Sequence, residues 1–121
     1  RAAAGRLAGV TVVGRADPRP HLADAHALLH TAEWEGLPRV VLEAAAVGRP
    51  ALGYDVKGVS DAPGALVAGR PGETRGLADL VARWWAGEVE TPAVDRASLD
   101  WHRAHDAVTG LLGSVLAPPR G

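Results

Sequence analysis

The sequence predicts an α/β domain built on a parallel sheet with helices on both faces. Two observations support this fold class. Short apolar segments, typical of buried strands, alternate along the chain with segments of helical character. The chain has 121 residues, 47% of them hydrophobic and 22% charged, which suits one globular domain or a part of one. Alternating strands and helices favour parallel pairing, because parallel strands need a crossover connection.

Four short apolar segments are predicted to be strands: residues 10–13, 25–31, 51–54 and 65–68. The first, Val10–Val13, is a β-branched run that ends at Gly14, as expected of a strand buried on both faces. The second has Ala27-Leu-Leu as its core, and the polar residues 55–60 close the third. A helix is predicted between the first and second of these strands and between the second and third, whereas a loop joins the third to the fourth.

Four segments are predicted to be helices: about 21–24, 38–47, 73 up to Gly87, and from about 98 up to Pro118. Asp17 and two prolines can start the first helix. Pro38 suits the first turn of the second, and Gly48 with Pro50 gives a stop signal. Apolar residues cover every side of this second helix, which predicts that it is packed between other elements.

The predicted elements divide the chain into two parts. Residues 1–97 form a partial Rossmann-like domain that ends in a linker, and residues 98–121 form a C-terminal helix and tail. The last helix is apolar on one face and is weakened by Gly110 and Gly113, so it needs a partner surface. The chain has no methionine, even at position 1, which predicts a piece of a longer chain.

The predicted topology places two acidic residues near a ligand-binding edge. Ligands of parallel sheets bind outside the carboxyl ends of the strands, and residues 32–37 leave such an end. Glu35 and Gly36 therefore lie at this edge, beside a helix start that favours anions. Glu43 lies in the middle of the apolar helix, where a carboxylate must be paired, hydrogen-bonded or directed at a ligand.

Composition excludes several classes of function. A net charge of -1 provides no basic field for nucleic acid. No apolar run approaches the roughly 20 residues of a transmembrane segment. Without cysteine there is no disulfide, thiolate nucleophile or cysteine-bound metal. With no secretory signal, a cytoplasmic location is the expectation.

The stretch from Glu35 to Pro50 carries a resemblance: EGLPRVVLEAAAVGRP. It resembles the Glu-x7-Glu signature of retaining glycosyltransferases of the GT-B fold, specifically glycosyltransferase family 4. The family pattern is Glu-Gly-[Phe/Leu]-[Gly/Pro]-x4-Glu-Ala-x-Ala-x-Gly-x-Pro. The similarity covers roughly residues 9–112 and implies the C-terminal half of a GT-B enzyme, within its donor-binding domain.

The resemblance implies roles for six residues. The donor-sugar residues are Glu35, Gly36 and Leu37, and the nucleotide residues are Arg39, Val40 and Glu43. Glu43 matches the glutamate that binds the ribose hydroxyls, and Glu35 matches one that contacts hydroxyls of the sugar. The others match positions whose backbone N–H groups approach the sugar and diphosphate. Pro38 stands where the family often has glycine, which removes one N–H contact.

By resemblance, the activity is transfer of a sugar from a UDP-, GDP- or ADP-sugar to an acceptor hydroxyl, with retention of configuration. No metal or other cofactor is implied. The acceptor, a sugar, lipid or small molecule, would bind an N-terminal domain that this sequence does not contain. The family's diphosphate-binding arginine and lysine also lie upstream. The chain is therefore expected to be inactive alone, and the full-length protein to be cytoplasmic or peripheral to a membrane.

Alternatives stay open at several positions. Glu43 could be a structural glutamate, and Arg39 a surface residue. His102 and His105, with Asp106 beside them, could place metal ligands on one helical face, although no third ligand converges on them. No catalytic residue can be named from the sequence. The alternative function is a non-catalytic α/β module that binds a nucleotide-sugar or a partner.

Overall fold

The computed structural model describes residues 7–36 and 38–117, without the side chain of Trp101. It contains three parallel strands in the order in which they occur along the chain: β1 (Leu28–His30), β2 (Ala51–Gly53) and β3 (Ala65–Val67). Leu29 lies opposite Leu52, and Leu52 lies opposite Leu66. The open parallel sheet with its helices confirms the predicted α/β class and is consistent with a partial Rossmann-like domain.

Within the described residues, four α-helices and one short 3₁₀ helix accompany the strands: α1 (Pro18–Asp24), α2 (Arg39–Ala46), α3 (Thr74–Trp85), the 3₁₀ helix (Arg96–Leu99) and α4 (Trp101–Leu116). Helix α2 follows β1 and precedes β2, so it forms the crossover between two paired parallel strands. Both α2 and α3 contact β2. This arrangement places the loops after β1 and β2 at the same edge of the sheet.

The core lies between the sheet and α3. Its buried members are Leu52, Tyr54, Val56, Val59, Leu77 and Leu80. Leu77 and Leu80 come from α3, whose apolar residues recur at helical spacing as the sequence predicts. Leu52, the central residue of the central strand, is among the largest fully buried side chains. The core therefore fixes β2, and β2 in turn positions its two neighbours.

Helix α1 begins at Pro18, three residues before the predicted helix at about 21–24, and Asp17 starts it as predicted. Asp17 is its N-cap, and the Asp17 carboxylate accepts a hydrogen bond of 3.0 Å from the backbone N–H of Arg19. The Arg19 guanidinium also donates to this carboxylate at 2.7 Å. At the other end of α1, Arg49 Nη2 donates to the carbonyl of Ala23 at 2.8 Å. Because Arg49 follows α2, this bond ties α1 to the end of α2.

Helix α2 is shorter and less enclosed than predicted. It begins at Arg39, with Pro38 as the N-cap, and ends at Ala46. Val41, Ala44 and Ala45 are buried, whereas Ala46 and Val47 are exposed. The expectation that α2 is packed on every side is wrong, because its described neighbours (α1, β1, β2 and the 3₁₀ helix) leave one side to solvent.

The predicted strand at Val10–Val13 is also wrong. This segment has no regular secondary structure, and the side chains of Val10, Val12 and Val13 are 45%, 48% and 57% exposed. A β-branched run becomes a strand only where a neighbouring strand satisfies its N–H and C=O groups. Within the described residues, Val10–Val13 pairs with no strand.

The remaining boundaries differ by a few residues. The predicted strand at 25–31 is regular only at Leu28–His30, where β2 pairs with it. Helix α4 begins at Trp101 instead of near 98, because Asp95 caps the preceding 3₁₀ helix and Asp100 caps α4. Every described side chain of α4 is exposed, including its apolar row: Val108, Leu111, Leu112, Val115 and Leu116.

The close packing of β1 on β2 generates a stability prediction. A Cβ added at Gly53 would lie 2.8 Å from the His30 carbonyl oxygen and 3.3 Å from Val59 Cγ1. We expect Gly53→Ala to lower the free energy of unfolding by about 1–3 kcal/mol, measured by urea denaturation. Gly113→Ala is the control, because a Cβ there meets nothing within 4 Å; it should not destabilise the protein, and alanine should stabilise α4 by up to about 1 kcal/mol. A Gly53→Ala variant as stable as the wild type would contradict this packing.

The α1 cap generates a pH prediction. The pKa of Asp17 is lowered from 3.8 to about 2, mainly by the hydrogen bond from the Arg19 side chain and to a smaller extent by the one from the Arg19 backbone N–H. A lowered pKa means that the charged cap stabilises α1 above pH 3.8 and that this contribution is lost as the pH falls towards 2. Arg19→Ala should raise the Asp17 midpoint in a carboxyl ¹³C NMR titration. Arg15→Ala should not, and a midpoint unmoved by Arg19→Ala would refute the assignment.

Candidate functional site

Two loops meet at the carboxyl edge of the sheet. Residues 31–36 follow β1, and residues 54–64 follow β2. Gly58 in the second loop has a φ of +89°, and a Cβ added there would lie 2.6 Å from the Gly36 carbonyl oxygen and 3.4 Å from that of Glu35. Only glycine adopts this backbone conformation easily and permits so close an approach. The Gly58 backbone therefore sets the position of Glu35 and Gly36.

Glu35 lies beside a buried histidine. Its Oε2 atom is 3.5 Å from Nε2 of His30, the last residue of β1. The His30 side chain is only 10% exposed, whereas the Glu35 side chain is 29% exposed. The other ring nitrogen of His30, Nδ1, is buried and has no hydrogen-bond partner among the residues that the structure describes. Glu35 thus combines an internal neighbour with access to solvent.

Gly36 is exposed, and a Cβ added there would meet nothing within 4 Å. The open space beside it would allow another molecule to approach the backbone closely. Leu37, the third residue of the predicted sugar-contacting set, lies outside the described residues.

The N-terminus of α2 has unused backbone donors. Its first hydrogen bonds run from the N–H groups of Val41 and Leu42 to the Pro38 carbonyl, at 3.0 Å and 3.3 Å. The N–H groups of Arg39 and Val40 donate to no residue that the structure describes. No described side chain caps this end, and no acidic residue lies in the first turn. Free N–H groups and the helix dipole make this end suitable for an anion.

Glu43 is the fifth residue of α2 and is half-buried. Within residues 7–36 and 38–117, its carboxylate makes no hydrogen bond and no ion pair. Arg19 lies within electrostatic range: the pKa of this guanidinium is raised mainly by the hydrogen bond to Asp17, with a smaller contribution from the charge of Glu43. No described arginine therefore forms an ion pair with Glu43.

Two of the cavities formed by the described residues lie beside the sheet. One, of about 340 Å³, is lined by Val40 of α2 together with Gly14, Leu22 and Leu28. A larger apolar cavity of about 460 Å³ lies between β1 and α3. Val40 is the only one of the five described site residues that lines either cavity. Glu35 and Glu43 are half-buried and line neither of these cavities.

A metal site on the last helix is one of the alternatives that the sequence leaves open. In the part of the chain that the structure describes, no three His, Cys, Asp or Glu side chains are grouped so that they could hold a metal ion. Nδ1 of His105 lies 3.7 Å from Asp106 on the exposed surface of α4. Among the described helices, none has the length and apolar character needed to cross a membrane.

Sequence reasoning missed His30 and the role of Gly58. His30 could have been noticed as a polar side chain at the carboxyl end of a strand, five residues before Glu35. The loop that contains Gly58 could be predicted, but its contact with Gly36 depends on how two distant loops fold together. Neither residue has a signal as specific as the spacing of Glu35 and Glu43.

The contact between the two loops generates a prediction. Gly58→Ala and Gly87→Ala both place alanine at a positive φ, but a Cβ at Gly87 meets nothing within 4 Å. Both should lose about 1–2 kcal/mol of stability from the backbone conformation. Gly58→Ala should lose about 1–3 kcal/mol more through the clash with Gly36. Denaturant unfolding measures the difference, and amide NMR shifts of Glu35 and Gly36 should change only in Gly58→Ala. Equal losses would contradict the contact.

Comparison with known proteins identifies the family. The model of the family described as "Glycosyl transferases group 1" matches residues 1–86, which is most of the chain and extends just past α3. No curated protein and no solved structure matches the sequence. The matched region contains the three described strands, both acidic residues of the signature and helix α2, to which Glu43 belongs. The chain therefore belongs to the group 1 glycosyl transferases, enzymes that transfer sugars.

Proposed function

We propose that the chain supplies the nucleotide-sugar site of a retaining glycosyltransferase with the GT-B fold, of family 4. Membership of the group 1 glycosyl transferases supports sugar transfer in general. The observation that carries the finer proposal is Glu43, a half-buried carboxylate that no described residue pairs with. It lies on a helix whose first N–H groups donate to no described residue. These two features belong to the same eight-residue helix.

Glu43 is proposed to bind the ribose of the donor. A half-buried carboxylate loses part of its hydration, and hydrogen bonds from a ligand would offset this cost. A ribose offers two neighbouring hydroxyl groups, and one carboxylate can accept hydrogen bonds from both. The absence of an ion pair to any described residue leaves both oxygens available.

The N-terminus of α2 is proposed to bind the diphosphate. Arg39 and Val40 offer free N–H groups, and Arg39 adds an exposed guanidinium. Arg39 and Glu43 are four residues apart, so they lie on the same face of the helix. One nucleotide could therefore extend along this face, with its phosphates at the N-terminus and its ribose one turn further on.

The sugar is proposed to lie at residues 35–37, before the helix. Glu35 is accessible to hydroxyl groups, and Gly36 leaves space for close approach. During transfer, the positive end of α2 would stabilise the charge that develops on the departing diphosphate. A further domain would supply the acceptor site and the remaining diphosphate contacts, and no metal is required in this proposal.

Donor binding is tested on the 121-residue chain. Amide NMR titrations with UDP-glucose, GDP-mannose and ADP-glucose should move the resonances of Glu35, Gly36 and residues 39–43 for at least one of the three. Glu43→Gln removes the charge while keeping the shape of the side chain. It should weaken this binding about tenfold or more, because a hydrogen bond to a charged group contributes about 1.5–3 kcal/mol.

Glu90→Gln is the matched control, because Glu90 is exposed and lies beyond α3. It removes the same charge and should leave donor affinity unchanged. Circular dichroism should show the same helix content in both variants. The proposal fails if none of the three donors moves the resonances of this segment, or if Glu43→Gln binds as well as the wild type.

A further inference from the structure

We propose that His30 is a positioning residue that orients Glu35 towards the donor sugar. This inference rests on the proposed function, because it assigns the sugar to Glu35. It starts from one juxtaposition: Nε2 of a nearly buried histidine lies 3.5 Å from the carboxylate of an accessible glutamate. The two residues belong to different kinds of structure, since His30 ends a strand and Glu35 lies in the following loop.

The strand holds His30 rigidly. Its backbone pairs with Gly53 of β2, and the missing side chain at Gly53 allows close approach: a Cβ there would lie 2.8 Å from the His30 carbonyl oxygen and 3.6 Å from the His30 Cβ. The imidazole is 10% exposed and so has little freedom to turn into solvent. A loop carboxylate beside such a fixed group loses less entropy when it orders around a ligand.

The surroundings select one tautomer of His30. In a neutral imidazole one nitrogen donates a hydrogen bond and the other accepts one. Nε2 faces the Glu35 carboxylate, which can only accept, so the proton belongs on Nε2. Nδ1 is then the bare nitrogen, and it is buried where no described residue forms a hydrogen bond with it. The opposite tautomer would bury an unpaired N–H and set a lone pair against the carboxylate.

The contact leaves part of Glu35 free for a ligand. A distance of 3.5 Å is longer than an ordinary hydrogen bond, and such contacts often shorten when a ligand binds. Behind the loop, Gly58 packs on the Glu35 and Gly36 carbonyls. His30 therefore acts on the side chain while Gly58 supports the backbone. Glu33, the neighbouring acid in the same loop, is exposed and lies instead beside Gly72.

The first test compares two ligands. Calorimetry or NMR titration measures the affinities of UDP-glucose, GDP-mannose and ADP-glucose. Each is compared with the affinity of its own nucleoside diphosphate: UDP, GDP or ADP. His30→Phe keeps an aromatic ring but removes Nε2. It should lower the affinity for the nucleotide-sugar about tenfold. Affinity for the nucleoside diphosphate alone should stay unchanged, because Glu43 and the start of α2 are untouched. A merely structural role would weaken both ligands equally.

Two further variants complete this comparison. His30→Gln restores an N–H donor at the position of Nε2 and should recover most of the nucleotide-sugar affinity. His26→Phe is the matched control, because His26 is exposed and contacts Trp85 instead. The two rings are edge-to-face, with their centroids 5.2 Å apart. It should change neither affinity. If His30→Phe binds the nucleotide-sugar as tightly as the wild type, the inference is overturned while donor binding stands.

The second test needs no ligand. Ring ¹⁵N NMR shifts distinguish a protonated nitrogen from a bare one, and they should assign the proton of His30 to Nε2. Glu35→Gln should change these shifts, whereas Glu33→Gln should not. Unchanged His30 shifts in Glu35→Gln would refute the contact. Absence of binding to all three nucleotide-sugars by the wild type would instead overturn the proposed function, and the positioning role with it.

Discussion

The close approach of β1 to β2 at Gly53 is the constraint on which the edge of the sheet depends. The backbone of His30 occupies the space that a side chain at position 53 would need. This approach fixes the end of β1, and so the point from which residues 31–36 leave the sheet. Helix α2 starts directly after that loop and returns the chain to β2. The geometry of the candidate site thus follows from one missing side chain in the central strand.

The two signature glutamates lie in different environments. Glu35 has a histidine beside it and is anchored through its backbone, whereas Glu43 has no hydrogen bond or ion pair to any described residue and is held by its helix. In the proposed function this difference matches their tasks. A ribose is the same in every nucleotide-sugar of this kind, and a rigid helix suits it. The sugar varies between donors, and a carboxylate on an adjustable loop suits that variation.

Local signals predicted most of the fold. Pro38 and Gly48 marked the ends of α2 within one or two residues, because proline and glycine act through the backbone at their own positions. The strand predicted at Val10–Val13 is wrong, because a strand forms only beside a neighbouring strand and the sequence does not show which strand that would be. Of the site, the Glu35–Glu43 spacing was visible in the sequence. His30 was not, because its importance arises from a contact between a strand end and a loop.

The free edge of β1 has a consequence for the behaviour of the chain in solution. Among the described strands β1 pairs only with β2, so its other side presents unpaired N–H and C=O groups. Leu29 on this strand is 55% exposed and borders the apolar cavity beneath α3. Such an edge is a template for strand addition; the three-residue length of β1 limits this pairing, but no lysine, proline or bulge within β1 adds a further block. Handling at high protein concentration should therefore favour edge-to-edge aggregation, and a charged substitution at Leu29 is a direct means of suppressing it.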